Sequence, residues 1–348
     1  MKNMIELRGV RSMKSTRLVV AAVALTAGLA AMAGHADAAA RDVKPIKHPK
    51  LKDGLLAIEG TRRSDRLTLR LAAGNPGVLQ LDVGEDGSAD YDFARQEVAR
   101  IELAAGDGDD LVSIDESNGA FSEIAITLDG GAGADILAGG SGAELLLGGD
   151  GSDSIDGNRG NDIAFMGAGD DTFVWDPGDG SDVVEGDNGA DTMLFNGAGG
   201  PEQVDLSANG NRLRFFRTQG TITMDTRSVE RVDFNALGGA DTVTVNDLTG
   251  TDVTSVNVDL AGSIGGTAGD GSAERVVVNG TNGNDTIDVS GDAGGVKVRG
   301  LAATIGVLHS DGASDRLDIN TLAGADTVNS GGLAPGSVQL FVDGALVP

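Results

Sequence analysis

The sequence has 348 residues, of which 55 are glycine, and it contains no cysteine, one tryptophan and one tyrosine. An aromatic content of 3% is too low for a conventional globular core and favours a stacked architecture of small residues. The formal net charge of −27 argues against nucleic acid or an anionic membrane as a partner, because both would repel the chain. Multivalent cations are the natural counter-charge. The lack of cysteine excludes disulfides and thiolate metal sites.

The N-terminus has the pattern of an export signal. Lys14 and Arg17 precede an apolar run at 18–33, and Ala36-Asp37-Ala38 supplies the small residues of a cleavage site. Residues 1–38 are therefore predicted to be a signal peptide, with an uncleaved anchor helix as the alternative. We expect a secreted protein, either extracellular or periplasmic.

Two regions are predicted between the signal peptide and the centre of the chain. Residues 39–52 are basic and contain two prolines, which favours a flexible linker, and residues 53–129 are predicted to be an N-terminal β region. Within that region, the segment from Asp82 to Asp90 approximates a calcium loop in which alternating oxygens face one ion. Gly84 interrupts the pattern, and a plain turn is the favoured interpretation.

The centre of the chain, residues 130–194, repeats every nine residues. The windows are GGAGADILA, GGSGAELLL, GGDGSDSID, GNRGNDIAF and MGAGDDTFV, followed after a two-residue slip by PGDGSDVVE and GDNGADTML. Every window has glycine at its fourth position, an acidic residue at its sixth and an apolar residue at its eighth. A solvated Gly/Asp-rich linker, the alternative, has no reason to keep an apolar residue in phase.

These windows resemble G-G-x-G-x-D-x-U-x, the repeat-in-toxin (RTX) or hemolysin-type calcium-binding repeat. The resemblance covers residues 130–194. The first two positions depart from it at Asn158, Met166, Pro177 and Asp187, and the sixth at Glu144, whose longer side chain places its carboxylate differently. The resemblance implies a parallel β-roll that binds calcium ions, of the kind carried by bacterial exported proteins.

Residue chemistry supports the same interpretation. Glycine permits tight turns with inward carbonyls, and the last three residues of each window can form a short strand. Two windows make one coil, so acidic residues 18 apart should stack, in the pairs 135/153, 153/171, 144/162, 162/182 and 171/191. Calcium prefers a mixture of carboxylate and carbonyl oxygens. The candidate metal-site residues are Asp135, Glu144, Asp153, Asp162, Asp171, Asp182 and Asp191, with Gly131, Gly133, Gly149, Gly151, Gly160 and Gly169.

The excess of negative charge in the repeats supports the prediction of calcium binding. Residues 130–194 carry 14 acidic side chains and one basic side chain, Arg159. Carboxylates stacked at a strand spacing of about 4.8 Å repel one another unless a cation lies between them. We therefore expect this segment to be disordered without Ca²⁺ and to fold on binding it.

A longer pattern continues outside the central block. Arg100, Arg231, Arg275 and Arg316 each begin an apolar segment that is followed by glycine at plus eight, aspartate at plus ten and an apolar residue at plus twelve. This pattern predicts a strand, a turn and a second strand, and residues 195–348 are predicted to be a C-terminal β-solenoid region. These isolated aspartates are expected to cap turns rather than bind calcium, because none of these turns has a Gly/Asp turn as its neighbour 18 residues away.

The sequence does not favour catalysis. It contains no H-E-x-x-H helix and no G-x-S-x-G elbow, and only His48 and His309 remain after signal removal. The prediction is an all-β, non-enzymatic, secreted calcium-binding protein: a calcium-binding parallel β-roll flanked by β-solenoid-like regions, with a structural, adhesive or cell-surface role. Surface polysaccharide or a host or cell-surface protein is the candidate partner, and no membrane insertion is expected. A carbohydrate-active β-helix enzyme of epimerase or lyase type is the alternative, and a passive calcium buffer is another.

Overall fold

The computed structural model describes residues 46–292 and 294–348, and Ile46–Pro348 form one compact unit. The predicted signal peptide lies outside the described residues, and so does the first half of the predicted linker. The fold is all-β, as expected, with two single-turn 3-10 helices at Arg95–Glu97 and Gln219–Thr221. In this part of the chain, no helix has the length and apolar character needed to cross a membrane.

The strands in chain order are β1 (Lys50–Lys52), β2 (Leu55–Thr61), β3 (Arg66–Ala72), β4 (Asn75–Val83), β5 (Tyr91–Ala94), β6 (Arg100–Asp107), β7 (Leu111–Asp115), β8 (Ala125–Ala132), β9 (Ile136–Ala138), β10 (Leu145–Asp150), β11 (Ser154–Asp156), β12 (Ile163–Ala168), β13 (Thr172–Trp175), β14 (Val183–Asn188), β15 (Thr192–Asn196), β16 (Gln203–Asn209), β17 (Arg212–Arg217), β18 (Ile222–Arg227), β19 (Arg231–Asn235), β20 (Thr242–Val245), β21 (Ser255–Asp259), β22 (Arg275–Asn279), β23 (Thr286–Asp292), β24 (Gly295–Arg299), β25 (Thr304–Leu308), β26 (Arg316–Asn320), β27 (Thr327–Leu333), β28 (Gln339–Val342) and β29 (Ala345–Leu346).

The strands form two long sheets, which we call sheet A and sheet B. Sheet A has fifteen strands in the order β1-β2-β6-β8-β10-β12-β14-β18-β17-β16-β20-β22-β26-β28-β29. Sheet B has fourteen in the order β27-β23-β24-β25-β21-β19-β15-β13-β11-β9-β7-β3-β4-β5. From β6 to β15 the chain alternates between the sheets, and each strand pairs in parallel with the strand two positions on. This is the β-roll architecture, in which one coil contributes one strand to each sheet.

The core follows from the period of two that strand geometry imposes on side chains. In the repeats, the apolar eighth residue is the second residue of its strand and is fully buried, as at Leu146, Ile155, Ala164 and Phe173. These residues belong to one continuous apolar cluster to which both sheets contribute. Leucine, isoleucine and valine make up most of this core, which explains how so few aromatic residues suffice.

The register confirms the 18-residue coil. Leu145 pairs with Ile163 in sheet A, and Ile155 pairs with Phe173 in sheet B, each 18 residues apart. The two-residue slip lengthens the next coil to 20 residues, since Ile163 pairs with Val183. Parallel pairing continues across the slip, because Trp175 lies at the end of β13 and Asp176 at the start of the turn to β14.

The flanking regions continue the same two sheets but are less regular than a plain solenoid. Three antiparallel meanders, β3 to β5, β16 to β18 and β23 to β25, are inserted between the parallel strands. The end of the predicted linker also differs from expectation. Residues 50–52 form β1, which pairs with β2, and Ile46 is buried against the core. Apolar side chains between the lysines of this segment allow it to dock on the sheet.

Candidate functional site

The acidic sixth residues of the repeats stack in two ladders joined by hydrogen bonds. On the sheet B side, the backbone N–H of Asp135 donates to Oδ1 of Asp153 at 2.8 Å, and that of Asp153 donates to Oδ1 of Asp171 at 2.7 Å. The N–H of Asp171 donates in turn to Oδ1 of Asp191 at 3.0 Å, across the slip. The sequence analysis predicted these stacked pairs, and the predicted spacing is confirmed.

The sheet B ladder is longer than the repeats. The N–H of Asp65 donates to Asp110 at 2.6 Å and the N–H of Asp110 donates to Asp135 at 2.7 Å, while the N–H of Asp191 donates to Glu230 at 2.8 Å. We call the whole set the long ladder: Asp65, Asp110, Asp135, Asp153, Asp171, Asp191 and Glu230. Its six aspartates are at most 5% exposed. Asp110 therefore does have stacked acidic neighbours, but they lie 45 and 25 residues away instead of 18.

The short ladder, on the sheet A side, contains Glu144, Asp162 and Asp182. The N–H of Glu144 donates to Oδ1 of Asp162 at 2.7 Å, and the N–H of Asp162 donates to Oδ1 of Asp182 at 2.8 Å. Glu144 itself bends back, and its Oε2 accepts the N–H of Gly140 in its own turn at 3.0 Å. The longer glutamate side chain thus places its carboxylate differently from that of the aspartates, as its departure from the repeat implies.

The second carboxylate oxygen of most ladder aspartates has no hydrogen-bond donor. Among the described residues, Oδ2 is buried and unpartnered in Asp110, Asp135, Asp153, Asp162, Asp171 and Asp191. In the repeats whose turn begins with glycine, this oxygen lies against that glycine. A Cβ added to Gly148 would lie 2.6 Å from Oδ2 of Asp153, and one added to Gly157 would lie 2.5 Å from Oδ2 of Asp162. A side chain at the first position would fill the space that these oxygens face.

The glycines at the second and fourth positions of the windows stack on the equivalent glycines of the next coil, with backbone against backbone. Gly133 and Gly151 have φ of 141° and 143°, a conformation open to glycine and strained for other residues. A Cβ added to Gly151 would lie 1.6 Å from the carbonyl oxygen of Gly133, and one added to Gly149 would lie 1.9 Å from that of Gly131. Only glycine therefore lets the carbonyls of one coil reach the next. The remaining predicted glycines, Gly160 and Gly169, have the same positive φ and the same close approach.

Burial changes the acidity of the ladders. Desolvation raises the pKa of Asp110, Asp153 and Asp191 to about 7, although the N–H donor to each carboxylate lowers it in part. Neighbouring carboxylates of the same ladder raise these pKa values further. In the short ladder, desolvation raises the pKa of Asp162 to about 8, and Asp182 adds to the effect. Ionising these groups at neutral pH therefore costs free energy unless a positive charge lies nearby.

The arrangement can be tested for its fit to a calcium ion. Within residues 46–292 and 294–348, no three His, Cys, Asp or Glu side chains converge as a metal-binding group. A cation here would therefore take its oxygens from one or two carboxylates and from the backbone. The turns supply that donor set, since buried, unpartnered Oδ2 atoms adjoin glycine turns in which the carbonyls of one coil approach the glycines of the next. Calcium accepts six to eight such oxygens in irregular geometry, so these residues fit it.

The other candidates from the sequence lie apart from the ladders. In the Asp82 loop, Oδ2 of Asp82 accepts from Arg70 at 2.9 Å and from the N–H of Gly87 at 3.0 Å, which is the bonding of a turn. Asp241 and Asp326, in the isolated turns, accept the N–H of Glu202 and Asp285, each at 2.8 Å. Both bonds run between coils, 39 and 41 residues apart, so Asp241 and Asp326 stack as the ladder aspartates do and the expectation that they cap turns is wrong for them. Oδ2 of Asp241 is also buried and without a donor. His309 contacts Asp259 through Nδ1 at 2.7 Å.

Sequence reasoning missed two sets of residues in the repeats. The first is the set of leading glycines, including Gly148 and Gly157, which the glycine at the first position of five of the seven windows could have indicated. The second is the set of polar side chains at the fifth position, whose Oδ1 atoms accept a backbone N–H of the next coil. Asp170 accepts the N–H of Ala190 at 3.0 Å, and Asn161 accepts the N–H of Ser181 at 3.0 Å. The polar fifth residue of these windows was the available signal.

The fold and the ladders define a class: a two-sheet parallel β-roll repeat protein with buried, stacked carboxylates. No protein-family model matches the chain, and a search of curated proteins returned no significant match.

Proposed function

We propose that this protein is an exported calcium-binding protein whose β-roll folds when Ca²⁺ binds to its acidic ladders. The observation that carries the proposal is the set of six buried aspartate Oδ2 atoms without a donor, in turns built of stacked glycines. Polar atoms in this state are costly, and the cost is largest for ionised groups. A bound divalent cation would supply both the missing partners and the missing charge.

The resemblance of the nonapeptides to RTX repeats supports the choice of calcium over other cations. So does the donor chemistry, because carboxylate and carbonyl oxygens suit a hard cation, and the chain has no thiolates. The chain's own residues have distinct roles in this proposal. The aspartates supply charge, the glycines admit the carbonyls, and the apolar eighth residues close the core once the turns are ordered.

The proposed biological role follows from the coupling of folding to calcium. Extracellular calcium modules have dissociation constants of about 10⁻⁴ to 10⁻³ M. Sites in this range would leave the roll loose inside a cell and ordered outside it. The ordered roll would then act as a structural or adhesive element at a cell surface, with surface polysaccharide or a cell-surface protein as partner.

Calorimetric titration of the full chain with Ca²⁺, alongside circular dichroism in chelator, tests the proposal. We expect several ions to bind and the β signal to increase on binding. A β signal that is the same in chelator and in millimolar calcium would contradict it.

Asp153→Asn sharpens the test. Asparagine keeps an oxygen to accept the N–H of Asp135 but removes the charge, so calcium binding should weaken while the hydrogen bond survives. Asp187→Asn is the matched control, since Asp187 carries the same charge in the same segment but is exposed. Its φ of 67° is one that asparagine also adopts readily. Equal calcium affinities for the two variants would overturn the assignment of Asp153.

A further inference from the structure

Four acidic residues stack in the C-terminal half of the molecule, away from the nonapeptides. Glu202, Asp241, Glu274 and Asp315 immediately precede β16, β20, β22 and β26, whose parallel register places them one above another. We call this set the C-terminal column. Its members are at most 3% exposed, so four carboxyl groups are buried along one line.

The first member of the column has a positive partner within the chain. Nε of Arg217 donates to Oε1 of Glu202 at 2.9 Å, and the N–H of Glu202 donates to Oδ1 of Asp241 at 2.8 Å. The guanidinium of Arg217 thus neutralises the Glu202 end. Burial of this ion pair is consistent with the rule that buried charges are paired.

Glu274 is in the opposite situation. It is 3% exposed, and neither of its carboxyl oxygens has a hydrogen-bond donor among the described residues. Arg275 follows Glu274 in sequence and Arg316 follows Asp315. Neither arginine neutralises Glu274, because adjacent residues of an extended chain point to opposite faces. Both instead bind Asp318, with Nε to Oδ2 distances of 2.8 and 2.7 Å.

A second buried carboxylate adjoins Glu274. Oδ1 of Asp315 accepts the N–H of Glu274 at 3.2 Å, and its Oδ2 accepts the N–H of Asp311 at 2.5 Å. Burial raises the pKa of Glu274, and the Asp315 and Asp270 carboxylates raise it further. Asp270 is exposed and accepts the N–H of Gly239 at 2.8 Å, so this side of the pair opens to solvent.

We propose that Glu274 and Asp315 bind a divalent cation, with calcium as the fitting chemistry, at a site separate from the nonapeptide ladders. Glu274 is buried beside a second carboxylate and has no donor of its own, so the pair needs a positive charge nearby. Arg217 shows how the same column meets that need at Glu202. The oxygen-only surroundings select a hard cation. The site rests on its own residues and does not require the ladders to bind calcium.

Calorimetric Ca²⁺ titration of the full chain and of Glu274→Gln tests this site. The variant should bind one ion fewer than the wild type. Glu202→Gln is the matched control in the same column and should leave the number of ions unchanged, because Arg217 already neutralises that position. If the ladder proposal fails, the wild type should still bind a single ion, and Glu274→Gln should bind none.

Thermal unfolding of the same proteins adds a readout that packing alone would not produce. In chelator, Glu274→Gln should melt above the wild type, because it removes an uncompensated buried charge, and in saturating calcium it should melt below. Asp315→Asn retains an acceptor for the N–H of Glu274 but loses the one for the N–H of Asp311, so no higher melting in chelator is expected of it. It should still bind one ion fewer, and it replaces Glu274→Gln in the titration if that variant does not fold. The proposal is overturned if Glu274→Gln binds as many ions as the wild type, or if it melts above the wild type both in chelator and in saturating calcium. Either result would mean that Glu274 and Asp315 share a proton instead of binding a cation.

Discussion

The backbone N–H of Asp135 donates to Oδ1 of Asp153 at 2.8 Å, across 18 residues of sequence. The same Asp153 side chain leaves its Oδ2 buried and without a donor. One carboxylate therefore does two separable things: one oxygen ties successive coils together, and the other presents charge inside the turn. Because the two roles use different atoms, substitution by asparagine and by alanine should have different consequences at the five rungs that share both features, Asp110, Asp135, Asp153, Asp171 and Asp191.

The first prediction concerns the pH dependence of the metal-free protein. Burial raises the folded-state pKa of Asp110, Asp153 and Asp191 to about 7 and that of Asp162 to about 8. In the unfolded chain the same groups titrate near their ordinary pKa of about 3.9. A raised folded pKa gives stability that is fully present below the unfolded pKa and is lost as pH rises through the folded pKa. In chelator, the free energy of unfolding should therefore be higher at pH 5 than at pH 8.

Urea unfolding at a series of pH values, with and without calcium, measures this dependence. Calcium should stabilise the protein most at pH 8, where the carboxylates are ionised and protons no longer compete with the cation for them. A metal-free stability that increases from pH 5 to pH 8 would contradict the prediction, since that slope belongs to carboxylates whose pKa is lowered by folding.

The second prediction concerns the stacked glycines. Gly151→Ala should lower the free energy of unfolding by about 2–4 kcal/mol, since it combines a strained φ with a steric clash. The clash is direct, because the added Cβ would lie 1.6 Å from the carbonyl oxygen of Gly133. Gly199→Ala is the control: a Cβ there meets nothing within 4 Å, and the effect should stay within about 0.5 kcal/mol. Urea unfolding in saturating calcium measures both, and equal effects would show that the close approach is unimportant.

Much of the roll could be predicted because its sequence period and its structural period coincide. The glycine at the fourth position, the acid at the sixth and the apolar residue at the eighth fix the turn, the ladder and the strand of each coil. Leu146 and Ile155 are therefore buried where the pattern placed them. The effect of the two-residue slip could also be predicted, since one extra residue at the end of a strand and one in the following turn leave the strand pairing intact.

The extension of the ladders could not be predicted in the same way. Asp65 stacks on Asp110 across 45 residues, because the β3 to β5 meander lies between them in sequence. Glu230 stacks on Asp191 across 39 residues, because β16 to β18 intervene. Antiparallel insertions of variable length destroy the sequence period without disturbing the parallel stack. The acidic residues that stack on one another can therefore be identified only in the three-dimensional structure. The C-terminal column was missed for the same reason.

The third prediction uses the only tryptophan as a reporter. Trp175 is fully buried, stacks on Phe195 with ring centroids 3.9 Å apart, and donates from Nε1 to the carbonyl of Gly180 at 2.9 Å. It lies between Asp171 and Asp182, one from each ladder. If folding of the roll depends on calcium, its emission should shift to the red in chelator and return on adding calcium. An emission maximum that ignores calcium, in a sample shown by calorimetry to bind it, would uncouple this part of the core from the sites.

The fourth prediction tests the ion pair at the start of the C-terminal column. Arg217→Gln leaves the Glu202 carboxylate buried without its cation, and loss of one partner of a buried pair costs about 3–5 kcal/mol. The charge is well enclosed, since the Glu202 side chain is 1% exposed and that of Arg217 is 11% exposed. Glu202→Gln combined with Arg217→Gln should recover part of that loss, because no buried charge is then left unpaired.

A double-mutant cycle by urea unfolding separates this pair from the other contact of Arg217, whose guanidinium also lies over the Trp175 ring at 5.4 Å from its centroid. That contact is lost in both Arg217→Gln proteins and so cancels from the interaction energy. The cycle should give a clear positive coupling between Arg217 and Glu202, unaffected by calcium because the column is already neutral at this rung. A coupling near zero would mean that the Glu202 carboxyl is protonated and uncharged. Glu202 would then not differ from Glu274 in having its charge neutralised by an arginine.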